Sequence, residues 1–97
     1  MNQPPPKREM RIPLPVLFVH HRDDGCPASS YADALDLRAR VTRSLRVDFV
    51  TVVGGDPPTS APCDAQSAHG YLGKEADVVQ VIADWLRGAT VPSQVGA

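Results

Sequence analysis

The residues that could do chemistry in this 97-residue chain lie in two short segments, residues 20–26 and 63–69. An aspartate paired with a histidine can orient the imidazole, which then accepts a proton from a reacting group. Two cysteines can form a disulfide, and a mixture of His, Cys and Asp side chains can bind zinc. The segments therefore raise three possibilities: acid–base chemistry, a disulfide and a metal site.

A metal site would draw on most of these side chains: His20, His21, Asp23, Cys26, Cys63 and His69. No C-x-x-C or H-x-x-x-H spacing occurs, and the adjacent His20 and His21 point to opposite faces if the preceding strand continues. A phosphate cradle at residues 54–56 is also disfavoured, because no Lys-Ser/Thr pair follows it. We therefore expect no metal or other cofactor.

The two cysteines, Cys26 and Cys63, lie one in each segment. A disulfide between them is possible if their Cα atoms come within about 7 Å of each other. We expect the bridge, which would indicate a periplasmic or secreted parent protein; two reduced, partly buried thiols, as expected in a cytosol, are the alternative. Cys63 acting as a nucleophile with His69 is disfavoured, because no helix N-terminus or cationic neighbour in sequence favours its thiolate.

Each segment follows a predicted strand. Residues 15–20 form a continuous apolar run with Pro15 at its entrance, where the missing ladder donor matters least. Residues 47–53, VDFVTVV, form a second such run and end at a pair of glycines. Because both faces of the first run are apolar, we expect that strand to be buried on both sides, as in a parallel sheet.

Two helices are predicted around these strands. The first follows the candidate N-caps Ser29 and Ser30, and apolar residues recur in it at three- and four-residue steps, at Ala34, Leu37, Val41 and Leu45. The second covers residues 74–86 and stops near Gly88. The order is thus strand, helix, strand, long loop, helix.

A strand–helix–strand crossover implies parallel pairing of the two strands. The carboxyl ends of parallel strands lie at one edge of the sheet, where ligand sites form in open α/β folds. We therefore expect five residues of the two segments to gather there: Asp23, Asp24, Cys26, Cys63 and His69.

The composition indicates one small globular unit: 42% of the residues are hydrophobic, 22% are charged, and the net charge is −1. No stripe of Lys and Arg indicates a nucleic-acid partner, and no apolar run is long enough to cross a membrane.

We predict a flexible Pro-rich lead-in over residues 1–12, an α/β domain over residues 13–88 and a disordered tail over residues 89–97. Two parallel strands leave unpaired edges, so we expect a homo-oligomer or a missing N-terminal segment to complete the sheet.

Four stretches in order, IPLPVLFVHHRDDGCP, VDFVTVVGG, SAHGYLG and VIADWLRG, resemble the C-terminal part of an α/β-hydrolase. The resemblance covers residues 12–88. It implies a β-α-β-loop-α unit equivalent to the last strands and helices of that fold. Carried over residue by residue, it implies that Asp24 is the acid and His69 the base of a Ser-His-Asp triad, in the family's chain order.

The chain departs from the family pattern at the nucleophile. None of the six serines lies in a G-x-S-x-G elbow, and His21 stands where the family has glycine. The resemblance therefore implies a fragment of an ester-type serine hydrolase that is inactive alone. The competing expectation is a non-catalytic α/β module that dimerises, or binds a partner, through its exposed strand edge.

Overall fold

The computed structural model describes residues 8–96 and shows two helices and parallel strand pairs in open sheets. In chain order the elements are β1 (Met10–Arg11), β2 (Val16–His21), α1 (Tyr31–Arg40), β3 (Val41–Thr42), β4 (Val47–Val52), α2 (Glu75–Leu86) and β5 (Gln94–Val95). A single 3₁₀ turn, Ala68–Gly70, lies in the long loop before α2. The predicted order of strand, helix, strand, long loop and helix is confirmed.

Strands β2 and β4 pair in parallel over six positions, from Val16 opposite Val47 to His21 opposite Val52. The same register continues backwards into the pair formed by β1 and β3. On its other side β4 pairs with β5, so the main sheet has the order β2-β4-β5. This pairing brings the loops after β2 and β4 to the same end of the sheet, as the crossover predicts.

The core lies around β4 rather than around β2. The fully buried side chains are Val50, Val52 and Val53, each at most 1% exposed, and α2 adds Val78 and Val81. In β2 only His21 is buried, and α1 buries none of its residues. Strand β2 is therefore a half-exposed edge strand instead of one covered on both sides.

Helix α1 begins as predicted and ends earlier than predicted. The Ser30 hydroxyl accepts a hydrogen bond from the Asp33 backbone N–H, which is the capping interaction expected of serine. The apolar repeat predicts helix through Leu45, but the helix stops at Arg40. Val41 is 6% exposed inside a strand and Leu45 is 89% exposed outside any element. The β-branched pair at positions 41 and 42 favours the ladder with β1 over another helical turn.

Helix α2 ends at Leu86, and Gly88 follows with a left-handed φ of 83°. A glycine adopts this conformation without steric cost, so Gly88 is the stop that the sequence predicts. The helix is tied to the sheet by the Trp85 indole, which donates to the Asp48 carboxylate at 2.9 Å. Arg46 donates to the same carboxylate at 2.6 Å and lies over the indole ring.

The short strands β1 and β5 lie where the sequence indicates no regular structure, in the lead-in and in the tail. Both are only two residues long, and their pairing depends on the register of their neighbours rather than on their own pattern. Gly96 follows β5 with a φ of 87°; a Cβ there would lie 2.1 Å from the Val53 carbonyl oxygen. Residues 1–7 of the predicted lead-in, and residue 97, fall outside the described residues.

The Cys26–Cys63 disulfide is formed, with 4.7 Å between the Cα atoms. It joins the loop after β2 to the loop after β4 across 37 positions of sequence. Cys26 is 4% exposed, whereas Cys63 is exposed. The cross-link thus holds together the two loops that carry the candidate chemistry.

Replacing both cysteines by serine should lower the free energy of unfolding by about 3 to 4 kcal/mol, because the open loop regains entropy in the unfolded chain. Urea unfolding followed by circular dichroism measures this change. The Ala61→Ser variant, altered at an exposed site of the same long loop, is the matched control and should stay within about 0.5 kcal/mol of the parent chain. A double variant as stable as the parent would show that the bridge does not stabilise the fold.

Candidate acid–base site

Asp24 lies just beyond the carboxyl end of β2 and is the most confined carboxylate of the site. Its backbone N–H donates to the His21 carbonyl at 3.3 Å and so closes a tight turn. Its Oδ1 accepts a hydrogen bond from the Cys26 backbone N–H at 2.9 Å. The side chain is only 3% exposed. A buried carboxylate needs such donors, because an unpaired buried charge is strongly destabilising.

His69 lies on the 3₁₀ turn before α2, and its Nδ1 is 2.9 Å from Oδ2 of Asp24. A carboxylate can only accept in this contact, so the hydrogen belongs on Nδ1. The other ring nitrogen, Nε2, then carries the lone pair. It has no hydrogen-bond partner among residues 8–96, and 35% of the side chain is exposed. The imidazole is therefore oriented on one side and open on the other.

The turn that carries His69 is built by its neighbours. The buried Ser67 hydroxyl lies 3.0 Å from the Pro62 carbonyl oxygen and 2.8 Å from that of Asp64, which folds the loop back on itself. A Cβ at Gly70 would lie 1.9 Å from the Ala65 carbonyl oxygen. The glycine after His69 is therefore required by close packing of the backbone, which gives a physical reason for the His-Gly pair.

His20 is a member of the site that the sequence does not single out. Its Nε2 donates to the Ser29 carbonyl at 2.9 Å and lies 3.3 Å from Oδ2 of Asp24. Asp24 thus lies between two imidazoles, with His69 on the other side. The signal available in the sequence is the four-residue spacing from His20 to Asp24, which is not specific enough to identify the contact.

His21 takes a structural place instead. It is 4% exposed, its Nδ1 accepts from the Asp23 backbone N–H at 2.9 Å, and its Nε2 donates to the Gly54 carbonyl at 2.7 Å. The imidazole therefore bridges the ends of β2 and β4. Asp23 is left with its side chain 68% exposed and pairs loosely with Arg22. As expected for successive strand residues, His20 and His21 reach different partners.

Tyr71 connects the His69 turn to the edge of the sheet. Its hydroxyl donates to the Val19 carbonyl at 2.7 Å. Burial, and after it the negative charge of Asp24, raises the pKa of Tyr71 above its ordinary value of 10.0. The phenol therefore stays protonated and donating at neutral pH.

The remaining sequence possibilities find no support in the geometry. With both cysteines in the disulfide, neither is a thiolate ligand or a free nucleophile. Among residues 8–96 no group of three His, Cys, Asp or Glu side chains is arranged to hold a metal ion. Ser67, the serine nearest in sequence to His69, directs its hydroxyl to backbone carbonyls.

A groove of about 510 Å³ lies beside the His69 turn. Three prolines of the long loop, Pro57, Pro58 and Pro62, form much of its wall. Leu72 and Ala68, the latter from the 3₁₀ turn, also line it. The groove is therefore largely apolar, with the exposed carboxylate of Asp23 among its polar borders.

Comparisons with protein-family models, with curated proteins and with solved structures each find no match for this chain. Within residues 8–96 no helix is both long enough and apolar enough to span a bilayer. The structure itself defines a small α/β protein with an aspartate–histidine pair at the carboxyl end of its parallel sheet.

The hydrogen bonds predict distinct tautomers for the three histidines. His69 should carry its hydrogen on Nδ1, whereas His20 and His21 should carry theirs on Nε2, because each donates from that atom to a carbonyl. Nitrogen-15 imidazole NMR at neutral pH distinguishes these forms. Asp24→Asn should change the His69 pattern, and Asp23→Asn should leave it unchanged. An Nε2–H form of His69 in the parent chain would contradict the assignment.

The raised pKa of Tyr71 predicts a loss of stability at high pH. Because the pKa is higher in the folded than in the unfolded chain, its contribution is complete below about pH 10 and is lost as pH rises through the folded pKa. Tyr71→Phe should lower the free energy of unfolding by about 1 kcal/mol at neutral pH, because the hydrogen bond to Val19 is lost. The variant should also lose less stability than the parent chain as the pH rises above about 10. Urea unfolding at several pH values measures both effects. Parallel stability curves for parent and variant would exclude this role for Tyr71.

Proposed function

We propose that Asp24 and His69 are the orienting acid and general base of an ester-hydrolysing site of the Ser-His-Asp type. The nucleophile would come from a segment other than residues 8–96. The observation that carries the proposal is the 2.9 Å contact between Asp24 Oδ2 and His69 Nδ1. The contact also agrees with the resemblance of residues 12–88 to the C-terminal part of an α/β-hydrolase, which implies these roles for the two positions.

The burial of the Asp24 carboxylate supports these roles. Asp24 is almost fully enclosed, so its charge acts on the imidazole through little water. The carboxylate holds the hydrogen on Nδ1 and would stabilise the imidazolium formed when Nε2 accepts a proton. His20 and the Cys26 N–H keep the carboxylate in place, which is the support that an orienting acid requires.

The proposed reaction follows from the open Nε2 of His69. A serine hydroxyl placed there loses its proton to Nε2 while its oxygen bonds to the ester carbonyl carbon. The imidazolium then returns that proton to the departing alcohol oxygen, leaving an acyl-serine. Water repeats the sequence and releases the acid. The apolar groove beside Ala68 suits the hydrocarbon part of such an ester.

The disulfide suits an oxidising compartment, as expected for a periplasmic or secreted protein. It also joins the two loops of the pair covalently. A site whose acid and base come from separate loops needs this kind of restraint, since small displacements weaken a positioned base.

The second candidate function is a non-catalytic module that acts through the edge of β2. The observation that favours it is the exposure of this strand, in which five of the six residues are only half-buried. An exposed apolar edge strand is a template for pairing with another chain.

Acylation by diethyl pyrocarbonate tests the base directly. His69 should react about tenfold faster than His20 or His21, because its Nε2 is unprotonated and open. Asp24→Asn should slow the reaction at His69, and Asp23→Asn should not. Mass spectrometry of peptides resolves the three sites. Equal reactivity of His69 in both variants would refute the orienting role of Asp24.

Labelling with a fluorophosphonate probe tests where the nucleophile lies. The folded chain alone should remain unlabelled, because no serine of residues 8–96 meets His69 Nε2. Labelling that disappears in His69→Ala would mean that this chain supplies its own nucleophile. The proposed separation of nucleophile and base would then be wrong, even if the acid–base pair is right.

A further inference from the structure

The free edge of β2 has an unusual distribution of hydrogen-bonding groups. The backbone N–H of Val16 donates to the Arg46 carbonyl, and that of Arg22 donates to the Val52 carbonyl. Even-numbered residues of this strand therefore face β4. Because strand residues alternate, Leu17, Val19 and His21 turn their N–H and C=O groups to the free edge.

Two of these outward carbonyls already have donors. Val19 accepts from the Tyr71 hydroxyl at 2.7 Å, and His21 accepts from the Asp24 N–H at 3.3 Å. Leu17 lies before this capped part of the edge. Its N–H and C=O are available to another strand, together with the N–H of Val19.

The residues before Leu17 complete the pattern. Pro15 has an outward position by the same alternation, so it offers a carbonyl and, being proline, no N–H. In chain order, the backbone groups available at this edge are therefore the Pro15 carbonyl, the Leu17 N–H and carbonyl, and the Val19 N–H. This arrangement is its own complement when the direction of the strand is reversed.

We propose that a second copy of this chain pairs with β2 in antiparallel orientation, with the twofold axis at Leu17. The Leu17 N–H of each copy donates to the Leu17 carbonyl of the other. The Val19 N–H of each copy donates to the Pro15 carbonyl of the other. The donor that Pro15 lacks is not needed, because the opposing Val19 carbonyl is occupied by Tyr71. Two edges become one continuous sheet.

Charge supports a second copy as the occupant. Antiparallel pairing would bring the segment before β2 of one copy, which carries Arg11, to the turn after β2 of the other, which carries Asp23; the two side chains are 72% and 68% exposed within the single chain. Each would then gain an opposite charge, whereas within the chain each has only a loose partner at 3.7 Å or more. Strand β2 itself carries no Lys, Glu or Asp that would discourage edge pairing.

The surroundings of β2 also fit this occupant. Helix α1 lies against β2 and buries none of its own residues; Leu35 and Leu37 are 44% and 37% exposed. Twofold pairing at Leu17 would bring the two copies of α1 towards each other across the axis. The assembly does not require that Asp24 and His69 be catalytic.

Charge exchange at Leu17 tests both the partner and the register. The full chain should be dimeric by sedimentation equilibrium. Leu17→Lys and Leu17→Glu should each weaken dimerisation by about 100-fold, because like charges would face each other across the axis. An equimolar mixture of the two variants should restore a dimer containing one copy of each. Leu45→Lys, at a leucine that is 89% exposed elsewhere, is the matched control and should dimerise like the parent.

Circular dichroism of each variant checks that it remains folded, and an unfolded Leu17 variant is replaced by Leu17→Gln, which should weaken the dimer without the charge. A parent chain that stays monomeric at every accessible concentration overturns the proposal. A dimer that persists in both charged variants also overturns it, because the interface would then lie away from Leu17. An equimolar mixture of the two variants that does not dimerise overturns it as well, because the two Leu17 residues would then not face each other.

Discussion

The buried carboxylate of Asp24 is the constraint on which the rest of this small structure depends. With 3% of its side chain exposed, it must be supplied with donors by whatever surrounds it. Its donors are the Cys26 N–H in the following turn and His69 from the loop after β4, while His20 at the end of β2 lies 3.3 Å away on the other side. The carboxyl end of the sheet is therefore organised around one charge.

The hydrophobic core alone is a weak support for this arrangement. It is centred on β4 and the facing side of α2, with Val50, Val52 and Val53 as its most enclosed residues. Small domains with limited apolar burial need additional restraints. Here the disulfide joins the two loops, and the His21 imidazole spans from the end of β2 to Gly54. The polar end of the sheet thus contributes to the fold as well as to the candidate chemistry.

The meeting of Asp24 with His69 could be anticipated from sequence, because parallel strands bring their following loops to one edge. The end of α1 could not, because Val41 fits the helical repeat as well as it fits a strand, and only pairing with β1 decides between them. The contact between His20 and Asp24 depends on the turn that returns Asp24 towards β2. The hydrogen bond from Tyr71 to Val19 depends on the left-handed backbone of Tyr71 itself, with φ 61°. Neither leaves a periodic signal.

The two proposals restrict each other through Tyr71. Its hydroxyl donates to the Val19 carbonyl at the free edge, and burial, followed by the charge of Asp24, raises its pKa, so Tyr71 lies between the acid–base pair and that edge. If a second copy occupies the edge at Leu17, that edge is no longer open to a strand bearing a nucleophile. A serine would then have to reach His69 Nε2 from above the carboxyl end of the sheet, on the exposed side of the imidazole. If the nucleophile-bearing segment instead takes the edge as a strand, the chain cannot pair with itself there. Occupancy of one strand edge thus determines which route to His69 is available.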